Sequence, residues 1–272
     1  MADSEKPIGV FDSGIGGLTV LKTLIARFPN ESFVYLGDTA RLPYGSKSPK
    51  TIERYLLQNI EFLLNQNVKA VVVACNSAST VLLSNPSLAF PVPVYNVIEP
   101  GAATAVRESE AKRIGVLGTK ATVGAKSYVQ AIHRLDREAV VFQQACPLLV
   151  PLVEEGWEDD PITNLVVYRY IQPIIQAKVD TLILGCTHYP ALRLAFEKVA
   201  GPHIRLVDSS LAISDLIDAD FASGRLARGS KPAPLRLMTT DVSQSFFDVA
   251  ARLMNPVEIP QLEAVDIGTP KP

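Results

Sequence analysis

The chain has 272 residues, of which 47% are hydrophobic and 20% charged, and its formal net charge is −2. That length accommodates two α/β domains or one larger one, with ample apolar material for a core. Balanced charge without Lys/Arg clustering excludes a nucleic-acid footprint, and apolar runs such as 71–75 and 146–153 are far too short to span a membrane.

The polar start MADSEKP leads directly into the first predicted strand, IGVF (8–11), so no targeting segment is expected. DSGIGG (12–17) then turns the chain into a helix over 17–28. SFVYL (32–36) is the second strand, followed by GDTARLPYG (37–45), in which Pro43, Tyr44 and Gly45 read as a turn. A helix over 51–65 carries Ile52, Tyr55, Leu56, Leu63 and Leu64 at helical spacing. Strands VVVA (71–74) and PVYNV (93–97) precede a helix over 101–108. Strand RIGVL (113–117), a helix over 121–135 and strand AVVFQ (139–143) come next. The acidic cluster Glu154, Glu155, Glu158, Asp159 and Asp160 reads as a solvated entry to a helix over 161–177. Strand TLILG (181–185), helices over 191–199 and 211–221, strand LRLM (235–238) and a helix over 242–253 complete the pattern. The last stretch, 256–272, is Pro-rich and expected to fray.

Strands alternating with helices predict βαβ units and mainly parallel sheets with covered faces. The pattern also repeats. IGVFDS (8–13) returns as IGVLGT (114–119), and VKAVVVAC (68–75) is matched by VDTLILGC (179–186). The expected fold is α/β, with two pseudosymmetric, doubly wound domains. One comprises 1–97 plus 208–272 and the other 98–207. Ligands of such folds sit beyond the carboxyl ends of the strands. The active site is therefore expected in the crevice between the two copies, with Asp12, Ser13, Thr119, Cys75 and Cys186 converging on it.

The three cysteines are Cys75, Cys146 and Cys186. An odd number without a disulfide framework fits a reducing compartment and a cytoplasmic protein. Cys146, in QQACPLLVP, reads as inert packing. Cys75 and Cys186 each close a buried strand, one per copy, and helix N–H groups beside them would lower their pKa. His188 lies two residues after Cys186. The chain lacks the paired CxxC spacing of closed zinc sites, so no metal is expected. A Cys–His hydrolase pair is a stronger rival, because an adjacent imidazole activates a thiol. The glycine-rich DSGIGG turn can cradle an anion but lacks both the GxGxxG fingerprint and the Walker lysine. Asn76, Ser77, Thr119 and Thr187 add neutral donors at the same rim, which suits a small carboxylate ligand. A thiol on each side of an amino acid has a direct use: one removes the α-proton and the other returns a proton to the opposite face. No pyridoxal-phosphate signature is present, so the chemistry is expected to run without a cofactor.

Six segments carry a family resemblance: IGVFDSGIGGLTV (8–20), GDTARLPYG (37–45), ACNSAS (74–79), IGVLGT (114–119), PLVEEG (151–156) and LGCTHYP (184–190). Through them the chain resembles the glutamate racemases, cofactor-independent enzymes that interconvert L- and D-glutamate for peptidoglycan. The resemblance implies two pseudosymmetric α/β domains with glutamate between them, often as homodimers. It implies that Cys186 deprotonates L-glutamate and Cys75 deprotonates D-glutamate. Asp12 and His188 match residues that assist the two cysteines, and Glu154 matches an acidic residue on the His side. Ser13, Pro43, Tyr44, Gly45, Asn76, Ser77, Thr119, Thr122 and Thr187 match the substrate-binding set. Ser77 departs from the family's usual Thr; the hydroxyl survives and a methyl is lost. An aspartate or hydantoin racemase is the nearest alternative, a Cys–His hydrolase the next, and a ligand-binding regulator without turnover the last.

Overall fold

A computed structural model describes residues 3–268. The strands are β1 Ile8–Asp12, β2 Phe33–Gly37, β3 Ala70–Val73, β4 Val94–Asn96, β5 Arg113–Gly118, β6 Val140–Ala145, β7 Thr181–Gly185, β8 Arg205–Asp208, β9 Arg236–Thr239 and β10 Leu262–Ala264. They form two sheets, ordered β10-β9-β2-β1-β3-β4 and β6-β5-β7-β8. Every strand pair is parallel. The order β2-β1-β3-β4 recurs as β6-β5-β7-β8, so the internal repeat read in the sequence is a repeat of sheet topology. The α/β class and mainly parallel sheets agree with expectation.

Burial explains why the central strands were legible. β1, β2, β3 and β7 are buried at every position, and a strand covered on both faces is written as a continuous apolar run. A single core cluster runs through both sheets and includes Val10 and Val72 of the first with Leu182 and Leu184 of the second. Helix Ser209–Ser223 packs on helices Leu18–Arg27 and Ile98–Glu108, where the two sheets' layers meet.

The structure corrects several expectations. β8 and β10 lie where no strand was expected, and helices Asn76–Ser84 and Leu149–Glu154 where no helix was expected. The first of these helices is rich in Ser and Thr, which compete for backbone hydrogen bonds and lower helix propensity. Here Ser79 Oγ donates to Val73 O and Thr80 Oγ1 to Ser77 O, so the hydroxyls are satisfied inside the fold. The helix expected over 121–135 is two helices, Lys120–Ala125 and Ser127–Leu135, broken where Lys126 adopts a left-handed conformation at φ 55°. The tail does not fray throughout, because β10 pairs in register with β9. The end of that stretch, 269–272, lies outside the described residues.

A buried ion pair closes the base of the first sheet. Lys69 Nζ lies 2.5 Å from Glu31 Oε2, with both side chains almost fully buried. The same ammonium donates to Ser4 O and Ala227 O, and Gly229 N donates to Glu31 Oε1. The pair thus holds the N-terminal turn and the segment before β9 against the sheet. Breaking such a pair strands a buried charge. Lys69→Ala is expected to destabilise the protein by about 3–5 kcal/mol, read as a lower urea midpoint.

Candidate active site

The cleft lies beyond the carboxyl ends of both sheets, with a volume of about 340 Å³. Cys75 and Cys186 both line it. Each follows the end of an equivalent strand, β3 or β7, and each is 5% exposed. Ser13, Pro43, Tyr44, Gly45, Asn76, Ser77, Thr119, Glu154, Thr187 and His188 line the same cleft, so the structure gathers nearly all the residues singled out in the sequence. Asp12 and Thr122 stand one layer back, both fully buried. Thr122 lies behind Thr119, with the two hydroxyl oxygens 3.1 Å apart.

Hydrogen bonds join the turns of the two sheets around the cleft. Thr19 Oγ1 donates to Thr187 O at 2.8 Å, and Thr187 Oγ1 donates to Asp12 Oδ1 at 3.4 Å. Ser77 and Thr119 share a 2.9 Å hydroxyl contact. Gly16 shows why DSGIGG needs glycine. A Cβ there would come within 2.4 Å of both His188 Nδ1 and Thr187 Oγ1. Asp38, in the loop after β2, is fully buried. It accepts from Arg41 Nε at 2.7 Å, from Thr240 Oγ1 at 3.1 Å and from the Tyr44 hydroxyl, and so holds the Pro43–Gly45 turn in place.

The two thiols have unlike surroundings. Cys75 donates to Ser13 Oγ at 3.5 Å. Burial, and then the Asp12 charge, push its pKa up to about 12, against hydrogen bonds from Ser13 and the Ala78 N–H. This reverses the expected lowering: Cys75 caps helix Asn76–Ser84, but desolvation outweighs the helix N–H groups. Asp12 is itself pushed up by burial, against the charge of His188 and the N–H groups of Gly14, Gly17 and Ser13. Cys186 faces a cation instead. Its Sγ is 3.9 Å from His188 Nδ1, and His188 Nε2 is 3.1 Å from Glu154 Oε1. Burial disfavours a charged His188, but hydrogen bonds and charges from Cys186 and Glu154 outweigh it and push the pKa up to about 10. Helix Leu149–Glu154, unforeseen in the sequence, is what delivers Glu154 to His188.

The cleft also has walls the sequence did not reveal: Leu42, Pro147, Val150, Pro151, Lys120 and Cys146. Pro147, Val150 and Pro151 belong to or precede the unforeseen helix, and the turn after β6 gave no periodic signal. Cys146 is fully buried and donates weakly to Gln144 O. Among the described residues no three His, Cys, Asp or Glu side chains are grouped to hold a metal ion, and no helix is long and apolar enough to cross a membrane.

A profile of the Asp/Glu/Hydantoin racemase family matches residues 10–216. The chain belongs to that racemase family. It is 45% identical over 262 residues to a glutamate racemase of Syntrophus aciditrophicus, covering 96% of this chain and 97% of that one. A glutamate racemase of Bacillus anthracis has a TM-score of 0.90 at 36% identity, covering 97% of this chain and 98% of that one. A glutamate racemase of Francisella tularensis, solved in complex with D-glutamate, also has a TM-score of 0.90, at 34% identity and with 97% and 99% covered. An aspartate racemase of Picrophilus torridus, at 20% identity and a TM-score of 0.55, shares the fold.

Two outcomes follow from this racemase-family cleft. The His188 pKa rises from 6.5 to about 10 on folding. Its stabilisation is therefore complete below about pH 6.5 and disappears as pH rises through about 10. The stability difference between wild type and His188→Asn is expected to shrink over that window in urea titrations at stepped pH. Cys146→Ser is expected to leave turnover within about twofold, since the Cys146 thiol has no donor or acceptor role toward the other two. A large loss in a folded variant would assign Cys146 to the chemistry.

Proposed function

We propose that this protein interconverts L- and D-glutamate by a two-thiol, cofactor-independent mechanism. The observation that carries the proposal is the pair of buried thiols, one at the end of each equivalent strand, lining a single cleft. In the L-to-D direction Cys186, as thiolate beside the His188 imidazolium, removes the α-proton. Cys75, held as a thiol by burial and by Asp12, delivers a proton to the opposite face. The product is D-glutamate with Cys186 protonated and Cys75 ionised, and return of a proton through the open site resets the pair. Asp12, whose own pKa is raised, relieves Cys75 of an unfavourable charge whenever it takes up a proton. Glu154 keeps His188 charged. Ser13, Asn76, Ser77, Thr119, Thr122 and Thr187, with the backbone of Pro43–Gly45, supply or support the neutral donors that hold the carboxylates.

The choice of glutamate rests on the relatives at 45% identity or close to it, which are glutamate racemases. The aspartate racemase likeness carries the fold alone. A Cys–His hydrolase would leave Cys75 without a task. The family's supply of D-glutamate for peptidoglycan, in the cytoplasm, comes with this reading. So does a homodimer, for which the exposed Ile162, Leu165 and Tyr168 on helix Pro161–Gln176 offer an apolar face. Domain boundaries near residues 97 and 208 belong to the same reading, and closure of the two parts on substrate would dry the site and strengthen its electrostatics.

Proton NMR of L-glutamate in heavy water, followed together with circular dichroism, tests the proposal. Loss of the α-proton signal with decay of the optical signal to zero is the expected result. Inert glutamate with racemised aspartate would transfer the assignment to the sister activity. Cys75→Ser and Cys186→Ser are each expected to lower racemisation by at least about 100-fold, the scale of a lost general acid or base, with the fold intact. Full racemisation by either variant would remove the two-base mechanism.

A further inference from the structure

Asn76 stands in the cleft wall immediately after Cys75 and is 1% exposed. Its two polar atoms are used unequally. Oδ1 accepts from the Tyr128 hydroxyl at 2.8 Å, whereas Nδ2 is buried with no partner. A buried NH2 without an acceptor is costly, and a carboxylate is an acceptor only. A carboxylate-bearing substrate in the cleft is the natural partner for Nδ2. An Asn amide has nearly the same shape in both flips, so shape alone does not choose between them. The flipped amide would turn an oxygen toward the carboxylate and repel it. A phenol can accept as well as donate, but the buried Tyr128 O–H makes no other hydrogen bond among the described residues, so the flip that puts Oδ1 on its side is the one that gives its proton an acceptor.

Tyr128 reaches Asn76 from the other sheet. It lies on helix Ser127–Leu135, after β5, while Asn76 follows β3. The side chain is fully buried, and two glycines leave room for it. A Cβ on Gly101 would lie 3.4 Å from the hydroxyl, and one on Gly185 would lie 3.1 Å from the ring edge. Gly185 immediately precedes Cys186. One side chain therefore packs under the turn that carries Cys186 and hydrogen-bonds the residue that follows Cys75.

We propose that Tyr128 is a positioning residue: its hydroxyl fixes the Asn76 amide with Nδ2 toward the substrate carboxylate and links the two thiol-bearing turns. This rests on the racemase reading of the cleft and extends it to a side chain that the cleft does not touch. Tyr128→Phe keeps the ring between its glycines and removes only the oxygen. KM is expected to rise about tenfold for both enantiomers, with kcat within about twofold, because an interaction made equally in ground and transition states is lost. A purely structural role would instead lower the unfolding midpoint and the active fraction, leaving KM unchanged. The deciding comparison is a double-mutant cycle with Asn76→Ala. If Tyr128 acts through Asn76, adding Tyr128→Phe to Asn76→Ala raises KM no further. An unchanged KM in Tyr128→Phe, or a tenfold rise that persists in the Asn76→Ala background, would overturn the proposal. The probe is the amino acid that wild-type protein turns over. If wild type racemises aspartate but not glutamate, the glutamate assignment fails on its own, and the cycle is run with aspartate.

Discussion

A buried thiolate needs a countercharge, and the cleft provides one for only one of its two thiols. Cys75 and Cys186 are equally buried, on equivalent strands of equivalent sheets. Their neighbours differ: an acid beside Cys75, an imidazole backed by a carboxylate beside Cys186. The pseudosymmetry of the backbone thus carries an asymmetric distribution of charge. In the proposed reaction that asymmetry lets one thiol start as base and the other as acid, which a symmetric pair of buried thiols would have to arrange by chance protonation. The two enantiomers have equal free energy in water, so kcat/KM must match in the two directions however unlike the thiols are. The difference between them is therefore taken up in how tightly each enantiomer is held and in kcat.

The turns that hold this arrangement are packed closely enough that small changes propagate. Gly16 of the first sheet's turn abuts His188 and Thr187 of the second, and Thr19 donates to Thr187 O. Asp38 anchors the Pro43–Gly45 turn from beneath, with help from Thr240 far along the chain. The geometry of each thiol is consequently set by residues from both sheets.

The repeat and the long apolar strands were legible because fully covered parallel strands have a one-dimensional signature. The convergence of Ser13, Cys75, Thr119 and Cys186 was legible because each sits at a strand's carboxyl end. What escaped was short or settled by tertiary contact. Helix Asn76–Ser84 is built from residues of weak helix propensity, and helix Leu149–Glu154 is a six-residue element with Pro151 in it. With the second went the cleft wall at Val150 and Pro151. The direction of the Cys75 pKa also escaped. Sequence reveals a helix N-terminus beside the thiol but not the depth of burial, nor that Asp12 lies against it. Tyr128 gave no sequence signal of a role, since a tyrosine on an amphipathic helix reads as core.

The sheet order bears on how the molecule comes into being on the ribosome. β5, β6, β7 and β8 are consecutive in the chain, so the second sheet has all its strands once residue 208 has emerged. The first sheet must wait: the edge of β2 is covered by β9, Arg236–Thr239. Until then, a buried-type parallel strand stands with an open edge while the middle of the chain completes itself. The nascent first half is therefore the aggregation-exposed species, and the strand that protects it, β9, is made only after the whole second sheet.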